Sequence, residues 1–317
     1  MEKNFENIEK SNCHIHLTGA LHPAELRRIA SVSEVELGFV EPLELHLAFD
    51  DPTIWAVAKE VTSTEVGLSM AINEVVHAEK RAGVSYIELT LNPSGMLRRG
   101  LETDQLINCL EASAVKASGE GVRLLYKFGI NRKDGPQSVS EVAEVFMACP
   151  AHLRHSIDLN GDERAFPTVD YVDALSKLSK KGVSITVHAG EFLDSADSLR
   201  DAIRIEPFRI AHATAVIQEE DLLTLIKKQD IEIEIAPTSN YRRGAILNKA
   251  RHHIRRLVNE HVRVVLGNDD PGFFGSTMTD ELSSLEQMGM TEDEILALNN
   301  DINERVNSGQ KRLLFKN

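Results

Sequence analysis

The chain has 317 residues, 42% of them hydrophobic and 26% charged, enough apolar material for a large core and too much for disorder. Its 49 acidic residues against 35 basic ones give a net charge of −14, which repels phosphate backbones and anionic bilayers and so argues against nucleic acid or membrane as a partner. Three scattered cysteines (Cys13, Cys109, Cys149) exclude a disulfide framework or a Cys-rich zinc site, and no apolar run reaches the ~18–20 residues that span a bilayer.

From the N-terminus, Met1-Glu2-Lys3-Asn4-Phe5 is too polar for a signal peptide, so a soluble cytoplasmic protein is expected. Short β-branched runs then predict strands at Ser11–Leu17, Val84–Leu91, Val122–Ile130, Arg154–Leu159, Val183–His188, Phe208–His212, Ile231–Ala236 and Val262–Asp269. Between them lie segments of helical periodicity, such as Val169–Lys181 and Glu219–Gln229. The second sets Leu222, Leu223, Leu225 and Ile226 against Glu219, Glu220, Lys227 and Lys228. Glycines at 83, 121 and 182 close helices just before a strand.

This alternation predicts one (β/α)8 TIM barrel domain over residues 1–317. A doubly wound sheet would need a phosphate-type glycine loop after the first strand, and His14-Ile15-His16-Leu17-Thr18-Gly19-Ala20 is not one. The long stretch Leu21–Met70, with Pro23, Pro42, Pro52 and the only tryptophan, Trp55, is expected to form an inserted helical segment overhanging the C-terminal mouth of the barrel.

The chemistry gathers at the predicted strand ends. Alternation along a strand puts His14 and His16 on one face, with Cys13 on the other. His188 ends the fifth strand in Val187-His188-Ala189-Gly190-Glu191, His212 the sixth and Asp269 the eighth, where a buried carboxylate is costly unless paired or metal-bound. His14, His16, His188 and Asp269 make a nitrogen-and-oxygen donor set that leaves a position for water and suits zinc, with iron or manganese as alternatives. His212 on the same rim reads as a participant in catalysis. The other histidines (His22, His46, His77, His152, His155, His252, His253, His261) are assigned to helices or loops, where solvent or capping roles suffice.

At this point the residues resemble a family. His14-x-His16-Leu17-x-Gly19, Ser156-Ile157-Asp158-Leu159-x-Gly161-Asp162-Glu163, His188-Ala189-Gly190-Glu191, Arg209-Ile210-x-His212, Pro237-Thr238-Ser239-Asn240 and Asp269-Asp270-Pro271 are similar, in order and over nearly the whole chain, to the adenosine/adenine deaminase family of metal-dependent amidohydrolases. The resemblance implies one catalytic Zn2+ per chain on His14, His16, His188 and Asp269. It implies that His212 orients or deprotonates the attacking water, that Glu191 donates a proton to N1 of the purine, that Asp270 bonds N7 and that the Gly161 N–H meets N3. Glu191 must be neutral to donate, which a water-excluded pocket favours.

The departures bear on substrate. Where adenosine-specific members carry an acidic residue that binds ribose, this chain has Thr18. Ala211 and Ala213 flank His212 where glycines are usual, and Asn92 follows Leu91 with no arginine after Glu88-Leu89. The expected activity is hydrolytic deamination of adenosine and 2′-deoxyadenosine to inosine and 2′-deoxyinosine. Adenine, N6-substituted adenines and modified adenine nucleosides such as aminodeoxyfutalosine are the alternatives, and a catalytically silent binding relative is the rival of another class. A binuclear amidohydrolase would need a lysine where the fourth strand ends Asp158-Leu159-Asn160. A cytidine-deaminase site would need Pro-Cys-x-x-Cys, absent around Cys149-Pro150. The partner expected is a small-molecule purine; the sequence does not specify an oligomeric state.

Overall fold

The computed structural model describes residues 5–36, 52–249 and 253–308. Eight parallel strands follow one another around a sheet in chain order: β1 (Lys10–His16), β2 (Val84–Leu91), β3 (Arg123–Asn131), β4 (Arg154–Asn160), β5 (Ile185–Ala189), β6 (Arg209–His212), β7 (Glu232–Ile235) and β8 (Val264–Leu266). The helices among the described residues are α1 (Pro23–Val32), α2 (Pro52–Val61), α3 (Glu65–Arg81), α4 (Pro93–Leu97), α5 (Thr103–Gly119), α6 (Ser138–Ala148), α7 (Val172–Lys180), α8 (Ala196–Arg204), α9 (Glu220–Gln229), α10 (Pro237–Arg242), α11 (Ile254–Asn259), α12 (Pro271–Phe274), α13 (Met278–Gln287) and α14 (Glu292–Asn307). This is the expected (β/α)8 barrel. None of these helices is long and apolar enough to cross a membrane.

The predicted strands lie within a few residues of the observed ones, and two differences have physical causes. The strand expected over Val262–Asp269 pairs with β7 only over Val264–Leu266. Beyond it the chain turns its bonding to the opposite edge: Asp269 N donates to His14 O (2.8 Å), and His16 N donates to Asp269 O (2.9 Å). That pair of bonds closes the barrel between its last and first strands. The helix expected over Val169–Lys181 begins as a 3-10 turn over Thr168–Tyr171 before α7.

Most strand residues are buried, as parallel strands covered by helices must be. The interior beneath the mouth is nonetheless ionic. Lys127 of β3 meets Glu88 of β2 (3.1 Å) and Glu234 of β7, while Arg209 of β6 meets Glu88 (2.6 Å), Glu234 (3.1 Å) and Glu232 (2.6 Å). Charges so buried are tolerable only when each has opposite partners, and here each has.

The segment after β1 supplies α1, α2 and the start of α3, with α2 over the mouth: Trp55 packs on Phe273 of α12, their ring centroids 4.4 Å apart, and lines the cavity described below. Pro42, His46 and His252 lie outside the described residues. Two of the remaining histidines depart from the solvent or capping roles expected of them. His155 is buried on β4, its Nε2 3.1 Å from Glu88, and His253 is buried with Nε2 2.7 Å from the carbonyl of His212.

Candidate active site

Three imidazoles converge where β1 and β5 end. His14, His16 and His188 bring their Nε2 atoms to 3.1–3.3 Å of one another, and Asp269 Oδ1 lies 3.3 Å from His14 Nε2 and 3.4 Å from His16 Nε2. The far sides of two rings are fixed by buried carboxylates: His14 Nδ1 is in ion-pair contact with Glu234 (3.0 Å), and His188 Nδ1 is 3.2 Å from Asp158. A carboxylate on Nδ1 keeps the proton there and turns a bare Nε2 lone pair inward.

Lone pairs crowded in this way repel one another unless a cation sits among them. Burial opposes charge on His14, yet Asp269 and Glu234 outweigh it and raise its pKa to about 10. Burial wins at His16, which falls to about 3. Three imidazole nitrogens and a carboxylate oxygen facing one point are the donor atoms of a zinc-type site. The Nε2 atoms of His14, His16 and His188 with Asp269 Oδ1 beside them fit a metal ion, and His212 offers a further candidate atom within 4.8 Å of those of His14, His188 and Asp269.

His212 stands apart by its hydrogen bond. The Asn240 amide donates to Nδ1 (3.0 Å), which leaves the ring proton on Nε2, the arrangement of a donor to water rather than of a ligand. Burial holds its pKa down at about 4. His212 (φ 67°) and Asp269 (φ 62°) are non-glycine residues in the left-handed region, a strained exit that aims both side chains into the mouth. Asp269 Oδ2 also accepts from Ser239 (2.5 Å).

The cluster forms the floor of a cavity of about 510 Å3. His16, Thr18, Gly161, His188, Glu191, His212, Asp269 and Asp270 all line it, and His14 lies just beneath. The structure therefore brings together every site residue named from the sequence. Glu191 is positioned by Glu163, which accepts from the N–H groups of Gly190 and Glu191 (2.8 Å each) and from Ser198 Oγ. Asp270 is buried with Oδ1 bonded to nothing among the described residues, and burial followed by the charge of Asp269 pushes its pKa well above the carboxylate range. Gly19 allows that placement: a Cβ there would lie 1.6 Å from Asp270 Oδ1.

Sequence reasoning missed several neighbours of these groups. Asp158, Glu163, Ser239 and Asn240 stood inside the quoted motifs without a role. Glu234 and Arg243 carried no signal. Arg243 Nη1 donates to Glu191 Oε1, so one carboxylate oxygen of the expected proton donor is already engaged. Arg243 also faces Asp269, Asp270 and Asp162, whose charges together with that of Glu191 hold its pKa up against burial.

Comparison with known proteins identifies the family. Residues 9–308 match the family model described as adenosine deaminase. An aminodeoxyfutalosine deaminase from Acidothermus cellulolyticus is 27% identical over 90% of this chain and 85% of its own length. An adenine deaminase from Rhizobium meliloti is 30% identical over 91% of each chain. Among solved structures, an Arabidopsis N6-mAMP deaminase superposes with a TM-score of 0.81 at 20% identity, covering 98% of this chain and 96% of its own.

Proposed function

Because this chain belongs to the adenosine deaminase family, we propose that it hydrolyses the 6-amino group of an adenine nucleoside, adenosine or 2′-deoxyadenosine, to the inosine and ammonia. The observation that carries this reading is the His14/His16/His188/Asp269 cluster on the floor of the same cavity as Glu191 and Asp270. The size of that cavity, about 510 Å3, favours a nucleoside over a free base, and its lining includes Thr18 and Trp55 of α2 besides the cluster. The curated relatives' names span adenine and aminodeoxyfutalosine deaminases, so the base chemistry is common to them and the sugar side is not.

A zinc ion would be held by His14, His16, His188 and Asp269, and would supply the Lewis acidity that makes hydroxide available near neutral pH. The chain's own residues do the rest. His212, with its proton on Nε2 and Asn240 behind it, orients the attacking water by donating to it from Nε2. Purine N7 only accepts hydrogen bonds, so a carboxyl can bond it only as the neutral acid, the form that burial beside Asp269 favours in Asp270. The Gly161 N–H serves N3, and its φ of 101° explains the glycine there.

Glu191 donates to N1 as C6 is attacked, making the ring carbon electrophilic, and the leaving amine departs as ammonia. A guanidinium prefers a carboxylate to a carboxylic acid. Glu191 must therefore part from Arg243 and take up a proton from solvent before it can give one to N1.

An ammonia-release panel over adenine, adenosine and 2′-deoxyadenosine, with metal analysis of the same sample, tests the reading. Ammonia from the nucleosides with about one equivalent of metal is expected. Absence of both metal and ammonia would favour the silent binding relative.

A further inference from the structure

The cavity lining has two parts of opposite character. Around the histidine cluster stand Glu191, Asp269 and Asp270 with Arg243 as counter-charge, while another part of the wall carries Lys59, Arg98, Arg99 and Lys133 against the single carboxylate of Asp134. Such a wall runs against the composition of a chain with a net charge of −14. Its members come from α2, from the segment after α4 and from the turn after β3, so no helical repeat explains why they meet.

Two of the four are engaged. Arg98 Nη2 lies 2.7 Å from Asp134 Oδ2; Arg99 Nε lies 3.4 Å from Glu60, and its Nη1 donates to the carbonyl of Gly95 (2.7 Å). Among the described residues, neither Lys59 nor Lys133 has a carboxylate within 4 Å. Lys59 is half-buried on the Trp55 ring, with Nζ 5.9 Å from the centroid. Burial, and after it the charges of Lys133 and Arg99, lower its pKa, and the charge of Asp134 offsets this only in part. Like charges gathered on one wall repel until an anion joins them.

We propose that this wall is a subsite for an anionic group carried by the substrate at its 5′ end, a phosphate monoester or a carboxylate, contacted by Lys59 and Lys133. The 5′ carbon is the end of a nucleoside remote from the reacting amine, so an anion there would be met by groups other than those of the histidine cluster. The inference rests on the deaminase reading above and narrows it to adenine nucleosides with a charged tail.

Turnover and binding test it separately. Ammonia release is compared for adenosine, adenosine 5′-monophosphate and adenosine 5′-carboxylate, and calorimetry compares inosine with inosine 5′-monophosphate, neither of which has an amine to lose. At least one anion should exceed adenosine in kcat/KM by about tenfold or more, and the phosphate should tighten inosine binding by a similar factor. Both margins should shrink with added salt. The double variant Lys59→Met, Lys133→Met, which keeps the packing stems, should lower the anion-to-adenosine ratio about tenfold; Lys133→Glu should lower it further. A preference confined to phosphate identifies a dianion site, and equal gains identify a general anion site.

The proposal is overturned if adenosine matches both anions, or if the double variant leaves the ratio unchanged. If no purine releases ammonia while inosine 5′-monophosphate still binds more tightly through these lysines, the deaminase reading falls and the subsite stands. Turnover of adenosine with no gain from either anion leaves the reaction and removes the subsite.

Discussion

Glu191 and Asp270 are two carboxyl groups of the same cavity with opposite surroundings: one shares an oxygen with Arg243, the other is buried beside a like charge. Each is assigned a donor's task toward the base, and each makes a prediction. Glu191→Gln should retain the metal and lower kcat by about 10²–10⁴-fold, the range for a general acid, checked by metal analysis beside steady-state kinetics. Metal loss would instead assign Glu191 to the cation, and full activity would remove it as donor. For Asp270, alanine should cost far more kcat/KM than asparagine, because the asparagine amide still offers N7 an N–H. Equal losses would show that N7 is not bonded there. The strand-end residues His14, His16, His188 and Asp269 were legible because a two-residue period and an apolar strand say where a side chain points. Glu234, Asp158 and Arg243 were not, because their contacts join distant parts of the chain and no local pattern registers them.

Among the elements, the turn after β5 shows how catalytic placement depends on something other than the catalytic residue. Glu163, in the loop after the neighbouring strand β4, holds the amides of Gly190 and Glu191. Glu163→Ala should strand two buried N–H groups, lower Tm and reduce kcat about 10–100-fold with the metal still bound. Glu163→Gln keeps one acceptor oxygen and should recover part of both. A variant with unchanged kcat would show that the turn holds its shape unaided. At this scale the strands were the most readable elements and the 3-10 turn before α7 the least, since one turn of either helix type leaves nearly the same apolar spacing. The insertion after β1 was recognisable as material over the mouth from its position alone. That α2 would present Trp55 and Lys59 to the cavity was not, because the orientation of an inserted helix is decided by what it packs on.

Over the whole molecule the eightfold alternation was plain, but the ionic interior was not. Glu88, Lys127, Arg209 and Glu234 read as ordinary polar positions in strands, and only closure of the barrel makes them face one another. A buried acid elsewhere sets a pH dependence. Glu281 of α13 accepts from Thr238 N at the start of α10 (2.9 Å), and burial raises its pKa to about 7. A carboxyl whose folded pKa lies above its unfolded value favours the fold most at low pH, below about 4.5, and loses that contribution as pH rises through about 7. Glu281→Gln should therefore flatten the decline in urea midpoint between pH 5 and pH 8, by the order of 1–3 kcal/mol. An unchanged decline would place its origin elsewhere.

The seam between β8 and β1 is made of the same residues as the candidate metal site: Asp269 bonds the backbone of His14 and of His16 while its side chain faces theirs. An ion on those side chains would thus also tie the first strand to the last, and would stabilise the closed ring because it binds the folded site and not the unfolded chain. Chelation should lower Tm in proportion to the logarithm of free metal. The amides of His16 and Asp269 should then be among the first strand protons to exchange. If they stay as protected as those of β3 and β4 once the metal is gone, the backbone alone fastens the ring.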